Sequence, residues 1–92
     1  MKKVLNMKNN IIREKSSKFA LRIVDLYKYL VEQKKEYVLS NQLLRSGTNI
    51  GANIREGDNA ESKPDIIHKL SITQKECDEI IYWLKLLKAS NY

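Results

Sequence analysis

Ninety-two residues and 10.8 kDa leave room for one small domain and no second core, which excludes multidomain enzymes. One cysteine closes no intrachain disulfide. With only His68 beside Cys77 as soft ligands, neither a disulfide scaffold nor a structural zinc site is available, so apolar packing must hold the fold in a reducing compartment.

The chain is 42% hydrophobic with three glycines and one proline, a composition that suits helices and argues against disorder or a turn-rich β-sandwich. No apolar run approaches the roughly 18 residues of a membrane span, and residues 1–7 are followed by no cleavage signal. The expectation is a soluble, cytoplasmic protein with no membrane association. The net charge of +6 is uneven: residues 1–35 hold ten Lys and Arg against Glu14, Asp25 and Glu32, whereas the remainder is close to neutral. An electrostatic partner would meet the first third of the chain, although the same lysines also suit a face that is merely solvated.

Residues 1–10 are polar and Asn-rich with little period, and Lys2, Lys3 and Lys8 read as an unstructured tail. From Ile12 the apolar positions Phe19, Ala20, Ile23, Val24, Tyr27, Leu30 and Val31 recur every three or four residues, predicting an amphipathic helix over 11–34. Its other face carries Lys15, Lys18, Arg22, Asp25, Lys28 and Glu32, so the basic surplus forms a stripe. Lys34 and Lys35 extend it into a short connection through Glu36.

A second helix is predicted over 38–56 from Leu39, Leu43, Ser46, Ile50, Asn53 and Ile54. Ser46, Gly47, Thr48 and Gly51 lower its intrinsic propensity, so close packing against a neighbour must compensate. Gly47 and Gly51, four residues apart, mark the face where another helix approaches. Gln42, Arg45, Asn49, Asn53 and Glu56 follow the same spacing as a polar seam, read either as a network fixing helix register or as an oligomer or ligand-binding seam. Gly57-Asp58-Asn59 reads as a stop and turn, with Gly57 as a left-handed cap.

Ser62-Lys63-Pro64-Asp65 is a helix start: a capping serine, a proline tolerated in the first turn and an acid at the amide end. The third helix, 63–89, places Ile66, Ile67, Leu70, Thr73, Cys77, Ile80, Ile81, Leu84 and Leu87 along one stripe, which makes Cys77 an inert core thiol. Tyr82 and Trp83, with Lys75, Lys85 and Lys88 nearby, read as an interface anchor rather than a base-stacking platform. The fold class is all-α, an antiparallel up-and-down bundle of three helices with the first and third lying antiparallel. Helices this long leave apolar surface bare unless a fourth helix or another subunit covers it.

Chemistry finds little purchase. His68 is a surface or boundary histidine that belongs to no Glu-x-x-His pair, Glu76, Asp78 and Glu79 lack histidine companions for a helical metal site, and the glycines match no phosphate loop. No catalytic residue, metal ligand or cofactor is expected, and the chain is read as a non-enzyme.

The run from Gln42 through Arg45-Ser46-Gly47-Thr48-Asn49-Ile50-Gly51-Ala52-Asn53-Ile54-Arg55-Glu56-Gly57 closely resembles the central motif of the four-helix bundle proteins related to the protein encoded in intervening sequences of 23S ribosomal RNA genes. Ser62-Lys63, Ile67-His68-Lys69-Leu70, Lys75-Glu76, Asp78-Glu79 and Tyr82-Trp83-Leu84-Lys85-Leu86-Leu87 resemble that family's third helix in order and spacing. The first helix fits more loosely, through Ala20, Val24, Tyr27 and Leu30. Members usually continue into a fourth amphipathic helix, whereas this sequence stops at Asn91-Tyr92. That leaves open a short member, a truncated product or a fourth helix from another chain.

The resemblance implies a bundle that assembles with itself, since related proteins form ring-like homopentamers, and one relative is an accessory factor of a retroelement reverse transcriptase that looks like a nucleic-acid binder. Two functions compete. The first is an oligomeric bundle that binds structured RNA, or a complex containing it, through Lys15, Lys18, Arg22, Lys28, Lys34 and Lys35. The second is a protein-interaction or scaffold subunit, such as a factor binding a reverse transcriptase, which works through the seam and Tyr82/Trp83 and uses its charge only for solubility.

Overall fold

The computed structural model describes the backbone of residues 2–58 and 62–92, and the side chains of 11–57 and 62–92. It is built of three helices, α1 (Lys2–Glu32), α2 (Val38–Asp58) and α3 (Lys63–Ala89), with no strand among the described residues. No helix is long and apolar enough to cross a membrane, among the described residues.

The helix starts at Lys2, so the expected tail at 2–10 is helical in backbone; its side chains, those of Lys2, Lys3 and Lys8 included, lie outside those described. Periodicity misses this because extending an existing helix needs no buried face, and Lys, Leu and Met are good helix formers. At about 1.5 Å per residue, its 31 residues account for most of the molecule's 47 Å length. Lys35 ends this region in the left-handed conformation at φ 54°, and the Glu36 N–H then bonds the Leu30 carbonyl at 2.9 Å.

Glu36 is more than a connection. Its buried carboxylate caps α2, with Oε1 accepting from Val38 N–H (3.1 Å) and Leu39 N–H (2.8 Å) and Oε2 from Ser40 N–H (2.7 Å). The Ser40 hydroxyl donates back to the Glu36 carbonyl at 2.8 Å. A negative group on free amides at the positive end of a helix satisfies donors that would otherwise be buried unpaired.

Gly57 does not act as a left-handed cap: no glycine has positive φ, and α2 runs through it to Asp58. The expected turn residue Asn59 lies outside the described residues. α3 starts as the sequence indicates, Ser62 Oγ accepting from Asp65 N–H at 3.4 Å with Pro64 in the first turn. It ends on Asn91 at φ 65°, where Tyr92 N–H reaches the Leu87 carbonyl and Asn91 N–H that of Lys88, both at 3.2 Å. That pair of bonds is a Schellman closure, with asparagine taking the position glycine usually fills.

α2 lies between the other two helices. Ser17 meets Arg55 and Ile23 meets Gly47, so α1 runs antiparallel to α2; Lys69 meets Glu56 and Glu79 meets Ser46, so α3 does too. α1 and α3 therefore point the same way and, among the described residues, make no close backbone contact with each other. This corrects the antiparallel first and third helices expected from sequence. Short connections make each helix antiparallel to its chain neighbour, which in an up-and-down order makes the first and third parallel.

The core takes two residues seven apart from each helix: Ile23 and Leu30, Leu43 and Ile50, Ile80 and Leu87. This is the spacing at which one helix face returns after two turns, and Leu43 at its centre has no exposed surface. Leu26, Leu39, Ile54 and Trp83 pack around the six.

Much of the apolar stripe read from α3 is outside this core. Ile66, Ile67, Leu70, Cys77, Ile81 and Leu84 are all exposed, while the line that faces α2 runs through Glu76, Ile80 and Leu87. At 100° per residue the two lines are roughly 80° apart around α3. The uncovered surface expected from helix length is thus present and located.

Candidate nucleic-acid face and polar seam

Lys15, Lys18 and Arg22 project from α1 around Phe19, and the four side chains line one shallow, open depression. Their spacings of three, four and seven place them on one helical face. Lys18 Nζ also contacts Glu14 Oε1 at 3.2 Å, a well-exposed pair that water and salt weaken and a stronger anion could replace. Lys15 and Arg22 have no ion-pair partner among the described residues. A patch of three cations about an exposed ring can hold phosphate oxygens while offering a flat surface to a base.

The other three candidate cations stand elsewhere. Lys28 lies about 120° around α1 from Arg22. The Lys34 ammonium sits 6.0 Å from the centre of the Tyr29 ring, at the outer limit of a cation–π contact, and Lys35 occupies the turn. Of the six, the structure brings together Lys15, Lys18 and Arg22.

The polar seam assembles between α2 and α3. Arg45 is its hub: Nη2 donates to Gln42 Oε1 at 3.3 Å and to Glu79 Oε2 at 3.1 Å, and Nη1 lies 3.8 Å from Glu76 Oε1. The buried Ser46 hydroxyl donates to the same Glu79 oxygen at 3.2 Å. Farther along, Lys69 Nζ donates to Glu56 Oε2 at 2.6 Å, supplying the partner that a carboxylate near the carboxyl end of a helix needs. Asn49 and Asn53 are half-buried on the same side without a side-chain hydrogen bond among the described residues. The arrangement joins two helices of one chain at several matched positions, which fixes their register.

The two seam glycines differ. A Cβ on Gly47 would stand 2.8 Å from Ile23 Cγ2 and 3.0 Å from Ile23 Cβ, so α1 does approach here. Gly51 has nothing within 4 Å of that position, and the shared close-approach face inferred from the spacing is confined to Gly47.

Tyr82 and Trp83 touch, with ring centroids 5.1 Å apart at 52°, but do not form one surface anchor. Trp83 turns into the core, its indole N–H buried without a partner among the described residues, and Tyr82 points outward. Cys77 is exposed rather than in the core, because the stripe it belongs to is not the one α2 covers. Its thiol pKa is raised, first by partial burial and then by the charges of Asp78 and Glu76, so it remains a poor nucleophile for a different reason from the one expected. His68 is exposed. No three His, Cys, Asp or Glu side chains gather into a metal-binding group, among the described residues.

Sequence reasoning missed the roles of Glu36 and Glu76. A glutamate is outside the usual capping set, and only its place two residues before the start of the apolar period at Val38-Leu39 hinted at one. Glu76 falls on a line of three-, four- and seven-residue spacings through Lys69, Thr73, Ile80 and Leu87, but a carboxylate there looks like a solvated residue until Arg45 is seen facing it.

Comparison with known proteins agrees with the resemblance. Residues 8–92 match the family of 23S rRNA-intervening sequence proteins. Among solved structures, a protein with unknown function from the S23 ribosomal protein family, from Bacteroides thetaiotaomicron VPI-5482, superimposes with a TM-score of 0.89 at 55% identity, over 92% of this chain and 76% of that one. No curated protein matches the chain.

Proposed function

This chain belongs to the family of 23S rRNA-intervening sequence proteins, and from that premise we propose that it is a non-enzymatic bundle protein of the cytoplasm that binds structured RNA through α1. The observation that carries the reading is the convergence of Lys15, Lys18 and Arg22 around Phe19 in one open depression. Phosphates would take the cations, and an unpaired base the ring. Assembly with further copies, as a ring of five in the form the resemblance implies, would repeat this patch and raise affinity through multivalency.

The test is a titration of labelled structured RNA and matched duplex DNA at low and near-physiological salt. Joint replacement of Lys15, Lys18 and Arg22 by Gln should weaken binding to many sequences about equally and flatten the salt dependence by roughly 0.7–0.9 for each phosphate no longer neutralised. Replacing Lys28, Lys34 and Lys35 should do less. Unchanged affinity in the first variant, or no binding by the parent protein, removes the reading.

The uncovered apolar face of α3 favours a second one, a protein-interaction subunit. Its signature is partner capture that survives loss of the three α1 cations.

A further inference from the structure

Lys15, Arg22 and Tyr29 follow one another at seven-residue intervals on α1, so a single line along the helix holds all three, drifting by about 20° at each step. Phe19 stands about 60° to one side of Arg22 and Lys18 about 40° to the other. Tyr29 is exposed, and the Lys34 ammonium reaches its ring from the connection that follows α1, 6.0 Å from the centre. The basic depression around Phe19 is thus followed, farther along the same line, by a second exposed ring with a cation of its own.

The acids of α1 keep off this line. Glu14, Asp25 and Glu32, the three carboxylates in the helix, form a second line about 60–80° around from Arg22 on the Lys18 side. Lys28 lies beyond that second line, which separates it from the other cations. A polyanion laid along α1 is attracted to the line from Lys15 to Tyr29 and repelled from its flank. The rings add a second selection. Phe19 and Tyr29 are about 15 Å apart along the helix axis, over four times the roughly 3.4 Å between stacked neighbours in a strand. Each ring therefore takes a separate base, with about three stacked nucleotides, or fewer extended ones, between them. In a duplex the base faces are already stacked on their neighbours and closed to both rings.

We propose that α1 is a track for an unpaired stretch of RNA, with Phe19 and Tyr29 as its two base-stacking stations and Lys34 as the phosphate contact of the second. At 6.0 Å the ammonium is loosely held, so it can move to the phosphate of the base that takes the ring. The inference rests on the RNA reading and deepens it: it names the pairing state of the ligand and adds a station outside the cluster of Lys15, Lys18 and Arg22.

The probe is a labelled, unstructured RNA strand of about twelve nucleotides, within the roughly 4–16 of common single-strand sites, titrated alone and annealed to its complement. The strand should bind at least tenfold more tightly than the duplex, although the duplex carries the denser charge and a merely basic face would prefer it. Tyr29→Ala should weaken strand binding by about fivefold to a hundredfold and leave duplex binding and helicity by circular dichroism unchanged, because the side chain is half exposed. Tyr29→Phe should keep the parent affinity. Lys34→Gln should lower the strand's salt slope by about 0.7, whereas Lys28→Gln should not change it. Duplex binding as tight as strand binding, or a Tyr29→Ala variant that loses nothing or loses strand and duplex equally, overturns the track. The RNA reading survives those results as long as joint replacement of Lys15, Lys18 and Arg22 by Gln weakens binding; no binding of any RNA by the parent removes both.

Discussion

The two sides of α3 invert what composition suggests. The side that α2 covers includes two glutamates, Glu76 and Glu79, whereas the adjacent side, with Ile66, Leu70, Ile81 and Leu84, faces solvent. Burial follows the neighbour's position, and α2 meets α3 with Arg45 and Ser46 as well as Leu43 and Ile50. The covered side is a specific match of charge to charge, whereas the uncovered side is apolar and exposed.

Substitutions that break this contrast should differ most at adjacent residues. Ile80, 3% exposed, meets the core, so Ile80→Ala should cost about 2–5 kcal/mol in chemical denaturation. Next in size is Arg45→Ala, which strands the buried Glu76 carboxylate and removes the bonds to Glu79 and Gln42; because Arg45 is half exposed, the loss should be about 1–3 kcal/mol. Replacing Glu76 by Gln in that background should restore part of it, since the stranded charge is gone.

The same contrast recurs on α2. Gly47→Ala forces a methyl onto the branched, stiff Ile23 and should cost about 1–3 kcal/mol from overpacking, offset by about 1 kcal/mol of helix propensity. Gly51→Ala meets open space and should gain about 0.5–1 kcal/mol. Equal melting shifts for the two alanines would remove the assigned approach of α1. The smallest effect belongs to Ile81→Ala, within about 0.5 kcal/mol for the protein alone, because its side chain is 52% exposed. A larger loss that grows with protein concentration would show that other copies cover this face of α3.

Local rules act over a few residues, and the features they govern are legible in the sequence. The Ser62-Pro64-Asp65 start, the apolar period of α1 from Ile12 and the seam spacing from Gln42 to Glu56 all rest on one helix's own geometry. The motif from Gln42 to Gly57 is specific enough to indicate the family. Features that need a second element are not legible. Spacing puts Cys77 on an apolar line without showing whether a helix lies against it, and it pairs Gly51 with Gly47 without showing which of them meets Ile23.

The sequence by itself determined three helices, their capping at Ser62 and a basic first third, because propensity, capping and charge are properties of neighbouring residues. Only the tertiary structure decided that α2 sits between two parallel helices, that Arg45 holds Glu76 and Glu79, and that Lys15, Lys18 and Arg22 converge while Lys28 does not. These depend on the rotation of each helix about its own axis, and that angle is set by the packing of one helix on another.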